Sequence, residues 1–212
     1  MSQLIEKSKY FKEQADILLK QTGIINDLNE FGHVSLSGSY VGDVMMNGDI
    51  DITVVRQEPY LPEEVMEILK KLYLKGKFRS YFIKGDWNDE RKGAEFPNGH
   101  CIGLKQRLNG ERWKVDIWFV DEKEFKNRKE SFLDIADFKT TSDQKELILQ
   151  FKKYRDDNSL EISSQKIYEA VIKKNIKNIK ELLKEWIINI GRYDLPIFII
   201  WTRKFLWRLN QH

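Results

Sequence analysis

The sequence predicts an α/β (α+β) fold followed by a helical C-terminal region, and three observations carry that expectation. Asp49-Ile50-Asp51-Ile52 alternates charged and apolar residues with a period of two, as a half-buried strand does. Residues 100–108 and 111–120 are strand-like runs on either side of Asn109-Gly110, the favoured two-residue hairpin turn. Beyond residue 138 the apolar residues recur at helical spacing with few strand signals. The chain therefore divides into an α/β part at 1–138 and a helical part at 139–212.

The elements follow in order. Leu4, Ile5, Tyr10, Phe11, Ala15, Leu18 and Leu19 mark a helix over 3–20. A short strand at 33–37 leads into Gly38-Ser39, and a second runs from Asp49 to Arg56. Pro62 suits the first turn of a helix that reaches about Leu74. A strand is expected at 77–83. Residues 85–99 are polar and irregular, the composition of a loop that borders a site. In the C-terminal part, Thr141-Ser142-Asp143-Gln144 is a capping box for a helix to about Arg155. A longer helix starts near Ser163-Ser164 and stops at Gly191. The last apolar stretch, 197–209, is expected to dock on the other helices.

The Asn109-Gly110 turn also fixes a register. It pairs Leu108 with Glu111, Leu104 with Val115 and Gly103 with Asp116. Trp113, Val115, Ile117 and Phe119 then share one face, and Arg112, Lys114, Asp116 and Trp118 the other. Lys105 falls opposite Lys114, and Arg107 opposite Arg112. Like charges so placed repel unless water or an anion lies between them. The hairpin is thus a candidate wall for phosphate or an anionic acceptor, with room beside Asp116 at Gly103.

Composition narrows the function classes. The chain has 212 residues, of which 41% are hydrophobic and 33% charged, a globular balance. One cysteine, Cys101, excludes an internal disulfide and suits a reducing compartment. No apolar signal region follows Met1, and the run from Leu195 to Trp201 is too short to span a bilayer, so a cytoplasmic location without membrane contact is expected. Net charge is +3, too little to imply nucleic acid by itself. From Lys139 onward there are fifteen Lys and Arg against nine Asp and Glu, so the helical part is basic and the α/β part slightly acidic.

The chemistry concentrates at 38–52. Asp49 and Asp51 project from one strand face while Ile50 and Ile52 enter the core. Two adjacent carboxylates repel each other, and hard divalent cations relieve that repulsion. An isolated Asp-x-Asp is more often a solvated strand face. Here Gly38-Ser39 lies upstream, suited to close backbone approach and to a hydroxyl contact with phosphate, and Val115-Asp116-Ile117 adds a third carboxylate on a later strand.

Gly38, Ser39, Asp49, Ile50, Asp51, Ile52 and Asp116 together resemble the signature of the DNA polymerase β-like nucleotidyltransferase superfamily. Two departures stand out: Ser37 occupies a position that is usually apolar there, and no basic residue follows soon after Ser39. The resemblance implies a mixed-sheet catalytic domain at 1–138 with helices packed largely on one side, in a small, minimal-type member. It implies a nucleoside triphosphate at Gly38 and Ser39, and two Mg²⁺ ions, with Mn²⁺ able to substitute, on Asp49, Asp51 and Asp116. It implies transfer of a nucleoside monophosphate to a hydroxyl or phosphate acceptor with release of pyrophosphate. A small-molecule acceptor is favoured over nucleic acid, because no RNA-binding motif is present; the base and the oligomeric state are not readable. The alternative is a catalytically silent nucleotide-binding module of regulatory or antitoxin-like type.

Other chemistry is poorly supported. His33, His100 and His212 lie far apart without zinc-ligand spacing. Ser39 has no evident His/Asp relay, and neither a Walker A sequence nor a G-x-G-x-x-G occurs. Cys101 falls on an expected strand and reads as a packing residue.

Overall fold

The computed structural model describes residues 2–84, 97–131 and 135–190. Most of the expected loop at 85–99, the stop at Gly191 and the apolar stretch at 197–209 lie outside those residues. In chain order the main elements are α1 (Gln3–Thr22), α2 (Ile24–Asn29), β1 (His33–Ser37), the single turn α3 (Gly38–Val41), β2 (Gly48–Arg56) and α4 (Pro62–Leu74). There follow β3 (Ser80–Lys84), β4 (His100–Leu108), β5 (Glu111–Asp121), α5 (Glu122–Ser131), α6 (Ser142–Asp157), α7 (Ser164–Tyr168) and α8 (Ile179–Ile190).

The strands form one mixed sheet in the order β1-β2-β5-β4-β3. β2 and β5 run parallel and the other neighbours antiparallel. The hairpin register is the expected one: Leu108 faces Glu111, Leu104 faces Val115 and Gly103 faces Asp116. Asn109 and Gly110 have φ of 50° and 84°, the two left-handed residues a type I′ turn requires. Alternation then sorts the sheet. Ile50, Ile52, Val115, Ile117 and Phe119 enter the main core, which α1, α2 and α4 cover with Phe11, Leu18, Leu28 and Ile68. The opposite face carries the aspartates.

Several elements depart from expectation. The third strand begins at Ser80 rather than Lys77, although Arg79 already donates its N–H to the Lys105 carbonyl. Residues 163–190 form two helices instead of one. α7 widens into a π turn over Glu169–Lys173, and Asn175 takes a positive φ of 52°. Asn178 then caps α8, accepting from the Glu181 N–H at 3.0 Å while its amide donates to the Glu181 carboxylate. α5 was not foreseen. Its sequence, EKEFKNRKES, is nearly all polar, but charge marks its ends: Asp121 accepts from the Glu124 N–H at 2.7 Å, and Arg128 and Lys129 occupy the last turn. No helix among the described residues is long and apolar enough to cross a membrane.

A second core forms where α6, α7 and α8 meet. Ile148, Phe151, Ile167, Tyr168 and Leu182 pack there around Val44, which comes from the connection between α3 and β2. Thr141 and Gln144 form the expected capping box of α6. On the same helix Lys152 is buried, donating to the Val44 carbonyl at 2.9 Å with its ammonium 5.0 Å from the centre of the Tyr168 ring. Burial, seconded by the Arg155 guanidinium, pushes its pKa down to about 7.

That burial predicts a pH dependence of stability. The unfolded lysine titrates near ~10.4, so from about pH 7 upward the unfolded chain holds a proton that the folded chain has released. Lys152 therefore makes stability rise with pH between about 7 and 10. Replacing it in Lys152→Met should remove that part of the rise, seen as a flatter pH profile of urea unfolding. Parallel profiles for the two proteins would show that Lys152 stays charged when folded.

Candidate active site

The site begins with the parallel pairing of β2 and β5. It sets Asp51 beside Asp116, Asp49 beside Lys114 and Thr53 beside Trp118. Because side chains alternate along each strand, Asp49, Asp51 and Asp116 share one face. On the other side of β2, Ser37 pairs with Asp51 and Ser35 with Thr53. The polar Ser37, where the resemblance leads one to expect an apolar residue, thus borders the carboxylates.

Gly38 follows Ser37 at φ +67°, a conformation glycine adopts without strain. A Cβ there would lie 2.8 Å from Asp51 Oδ2, so only glycine lets the chain pass this close to the carboxylate. The turn carrying Gly38 and Ser39 is held from two helices. Lys12 of α1 donates to the Tyr40 carbonyl at 2.8 Å and Ser8 to the Asp43 carbonyl at 2.9 Å. Lys145 of α6 reaches the Asp43 carboxylate at 2.8 Å, and Lys152 takes the Val44 carbonyl. Asp43 itself has a positive φ of 54°.

These residues form the floor of a cleft of about 980 Å³. Gly38, Ser39, Asp49, Asp51 and Asp116 all line it. The helices add mostly cations to its lining: Arg128 and Lys129 come from α5, Lys152 and Arg155 from α6, and Lys166 from α7, together with the carboxylates of Glu161 and Glu169. Trp118 and Phe125 lie at the end beyond Asp116. Sequence reasoning missed Arg128, Lys129 and Lys152. For Lys152 a signal existed, since it stands on the apolar stripe of Ile148 and Phe151 at helical spacing.

The floor already attracts a cation. Lys114 Nζ lies 2.7 Å from Asp116 Oδ2 and 3.7 Å from Asp49 Oδ1. Half-burial works against its charge, but the Asp116 hydrogen bond and the nearby carboxylates outweigh that and raise its pKa. The Asp116 side chain is only 7% exposed. A donor set of hard carboxylate oxygens, one of them buried and cation-paired, fits Mg²⁺ or Mn²⁺. Among the described residues no group of three metal-ligating side chains stands ready for an ion, and Lys114 is interposed between two of the candidates.

Two expectations for the hairpin change accordingly. Lys114 turns to carboxylates, whereas Lys105 lies 5.2 Å from the centre of the Phe82 ring, so the lysines facing each other across the strands diverge. The room beside Asp116 is also filled: a Cβ on Gly103 would come within 2.1 Å of the Phe82 ring. Cys101, as expected, is buried in the sheet. 

No family model matches the chain, and no curated protein matches it. Among solved structures it is similar to a poly(A) polymerase complex, GLD-2 with GLD-3, at 11% identity and a TM-score of 0.47, covering 81% of this chain and 58% of that one. It is similar to terminal uridylyl transferase 4 from Trypanosoma brucei with bound UPU, at 13% identity and a TM-score of 0.47, covering 81% and 57%. It is also similar to CdnC of E. coli MS115-1 with ATP, at 20% identity and a TM-score of 0.31, covering 80% and 54%. The chain spans a little over half the length of the structures it matches.

Proposed function

We propose that this chain is a metal-dependent nucleotidyltransferase that moves a nucleoside monophosphate from a triphosphate to an acceptor and releases pyrophosphate. The observation that carries the reading is the floor of the cleft, where Asp51 and Asp116 are side by side, Asp49 is on the same face and Gly38 abuts Asp51. On this reading residues 1–138 are the catalytic part and the residues after 138 an accessory part. Asp49, Asp51 and Asp116 would hold two Mg²⁺ ions, which when bound neutralise the triphosphate and activate the acceptor oxygen.

The chain's own groups do the rest. The backbone N–H groups and hydroxyl of the Gly38-Ser39 turn take the terminal phosphates. Arg155 and Lys166 reach the cleft from the helical side and counter the phosphate charge. The acceptor oxygen attacks the α-phosphorus, the bond to the β-phosphate oxygen breaks, and pyrophosphate leaves. Asp116 is the carboxylate that takes the acceptor's proton. A cleft of about 980 Å³ has room for a triphosphate and a small acceptor together, which favours a small molecule.

The silent-module alternative rests on one observation, the Lys114 ammonium between Asp49 and Asp116. Binding of non-hydrolysable nucleoside triphosphates, measured with and without Mg²⁺, separates the two readings. Mg²⁺-dependent binding supports the enzyme, and binding indifferent to Mg²⁺ supports the module.

Two substitutions test individual roles. Asp51→Asn should reduce transfer by on the order of 10²–10³-fold, the loss expected for one preorganised electrostatic group. Its melting temperature in EDTA should match or slightly exceed the parent's, since a repelling charge is gone. Retention of full activity would refute the assignment. Ser39→Ala should weaken triphosphate binding by ~1.5–3 kcal/mol, the value of a hydrogen bond to a charged group, and leave monophosphate binding nearly unchanged. An equal loss for both ligands would place Ser39 away from the terminal phosphates.

A further inference from the structure

Lys114 is a residue that the proposed chemistry does not use. It stands two positions before Asp116 on β5 and beside Asp49 on β2, so its side chain leaves the sheet on the same face as the carboxylates. A lysine at such a place ordinarily extends its head into water. Here the ammonium turns inward, to 2.7 Å from Asp116 and 3.7 Å from Asp49. The side chain remains 40% exposed, so it can withdraw without disturbing the core.

Resting on the nucleotidyltransferase reading, we propose that Lys114 is a built-in placeholder cation, which holds Asp49 and Asp116 when no metal is bound and must leave before a divalent cation binds. Two consequences follow from charge alone. A metal ion entering the cleft alone meets a resident positive charge and binds weakly. A triphosphate offers the displaced ammonium a new set of anionic oxygens, so metal and triphosphate favour each other's binding. Lys114 thereby acts as a positioning residue that suppresses metal loading without nucleotide.

The test is Mn²⁺ binding by the full chain without nucleotide, followed by the electron paramagnetic resonance signal of free Mn²⁺. The parent, Lys114→Met, Lys114→Gln and the double variant Lys114→Met/Asp51→Asn are compared, with circular dichroism as the check on folding. Lys114→Met and Lys114→Gln should each bind Mn²⁺ about tenfold or more tightly than the parent, because a repelling charge is removed while the carboxylates stay. The double variant should lose that gain. Equal affinity in the parent and in whichever single variant folds would overturn the placeholder role and leave the metal site standing. A gain that survives Asp51→Asn would put the ion elsewhere, overturning both the placeholder and the site. No Mn²⁺ binding by any of the four proteins would likewise overturn both.

Discussion

The parallel register of β2 with β5 is the constraint to which the rest of the molecule answers. It brings Asp51 and Asp116 together across one strand spacing and seats Asp49 on the same face. Ladder hydrogen bonds and the apolar residues between the aspartates fix this arrangement. A shift by one residue would turn Ile50, Ile52, Val115 and Ile117 out of the core. The hydrophobic effect therefore holds three carboxylates in a proximity that electrostatics opposes. The ammonium of Lys114 and the tight approach of Gly38 to Asp51 are the local answers to that tension.

The turn at 38–44 answers the same constraint at longer range. Its four helical residues are too few to stand alone. Contacts from α1 and α6 hold it, with Lys12, Lys145, Lys152 and Ser8 binding backbone carbonyls or the Asp43 carboxylate. Val44 then enters the second core. The segment facing the carboxylates is thus gripped by both halves of the described chain. A change in the packing of α6 would be felt at Ser39 before it was felt in the sheet.

What the sequence foretold follows a physical pattern. The hairpin was readable to the residue because Asn109-Gly110 admits one turn and the turn fixes the register. β2 was readable because alternation over Asp49–Ile52 leaves no other way to bury both isoleucines. Alternation alone put Asp49 and Asp51 on one face; joining Asp116 to them rested on the family resemblance, because the pairing of β2 with β5 that does it is not written in either strand. The misses lie where side chains act across space. α5 has one apolar anchor, Phe125, and takes its form from end charges and from docking against Trp118. Phe82 fills the space over Gly103 from a third strand, which no reading of the hairpin alone reveals. The helix expected across 163–190 breaks at Asn175, which takes a positive φ, and at Asn178, whose side-chain hydrogen bonds to Glu181 compete with the apolar period.

The uneven charge of the chain acquires a direction from the fold. Among the described residues after 138, most cations are exposed, and some pair within their own helices, as Lys153 does with Asp157. Lys152, Arg155 and Lys166 instead line the cleft, joined by Arg128 and Lys129 from α5. The sheet contributes the aspartates, and the helices contribute most of the cations together with Glu161 and Glu169. An anion held by the helical cations alone would meet repelling carboxylates, and a cation held by the aspartates alone would meet the helical cations. A polyanion and a divalent cation entering together would satisfy both charge sets at once. On the proposed function, the two charge sets meeting in one cleft would favour a metal–phosphate pair over either partner alone, and Lys114 would strengthen that preference by setting a cation beside Asp49 and Asp116 until the pair arrives.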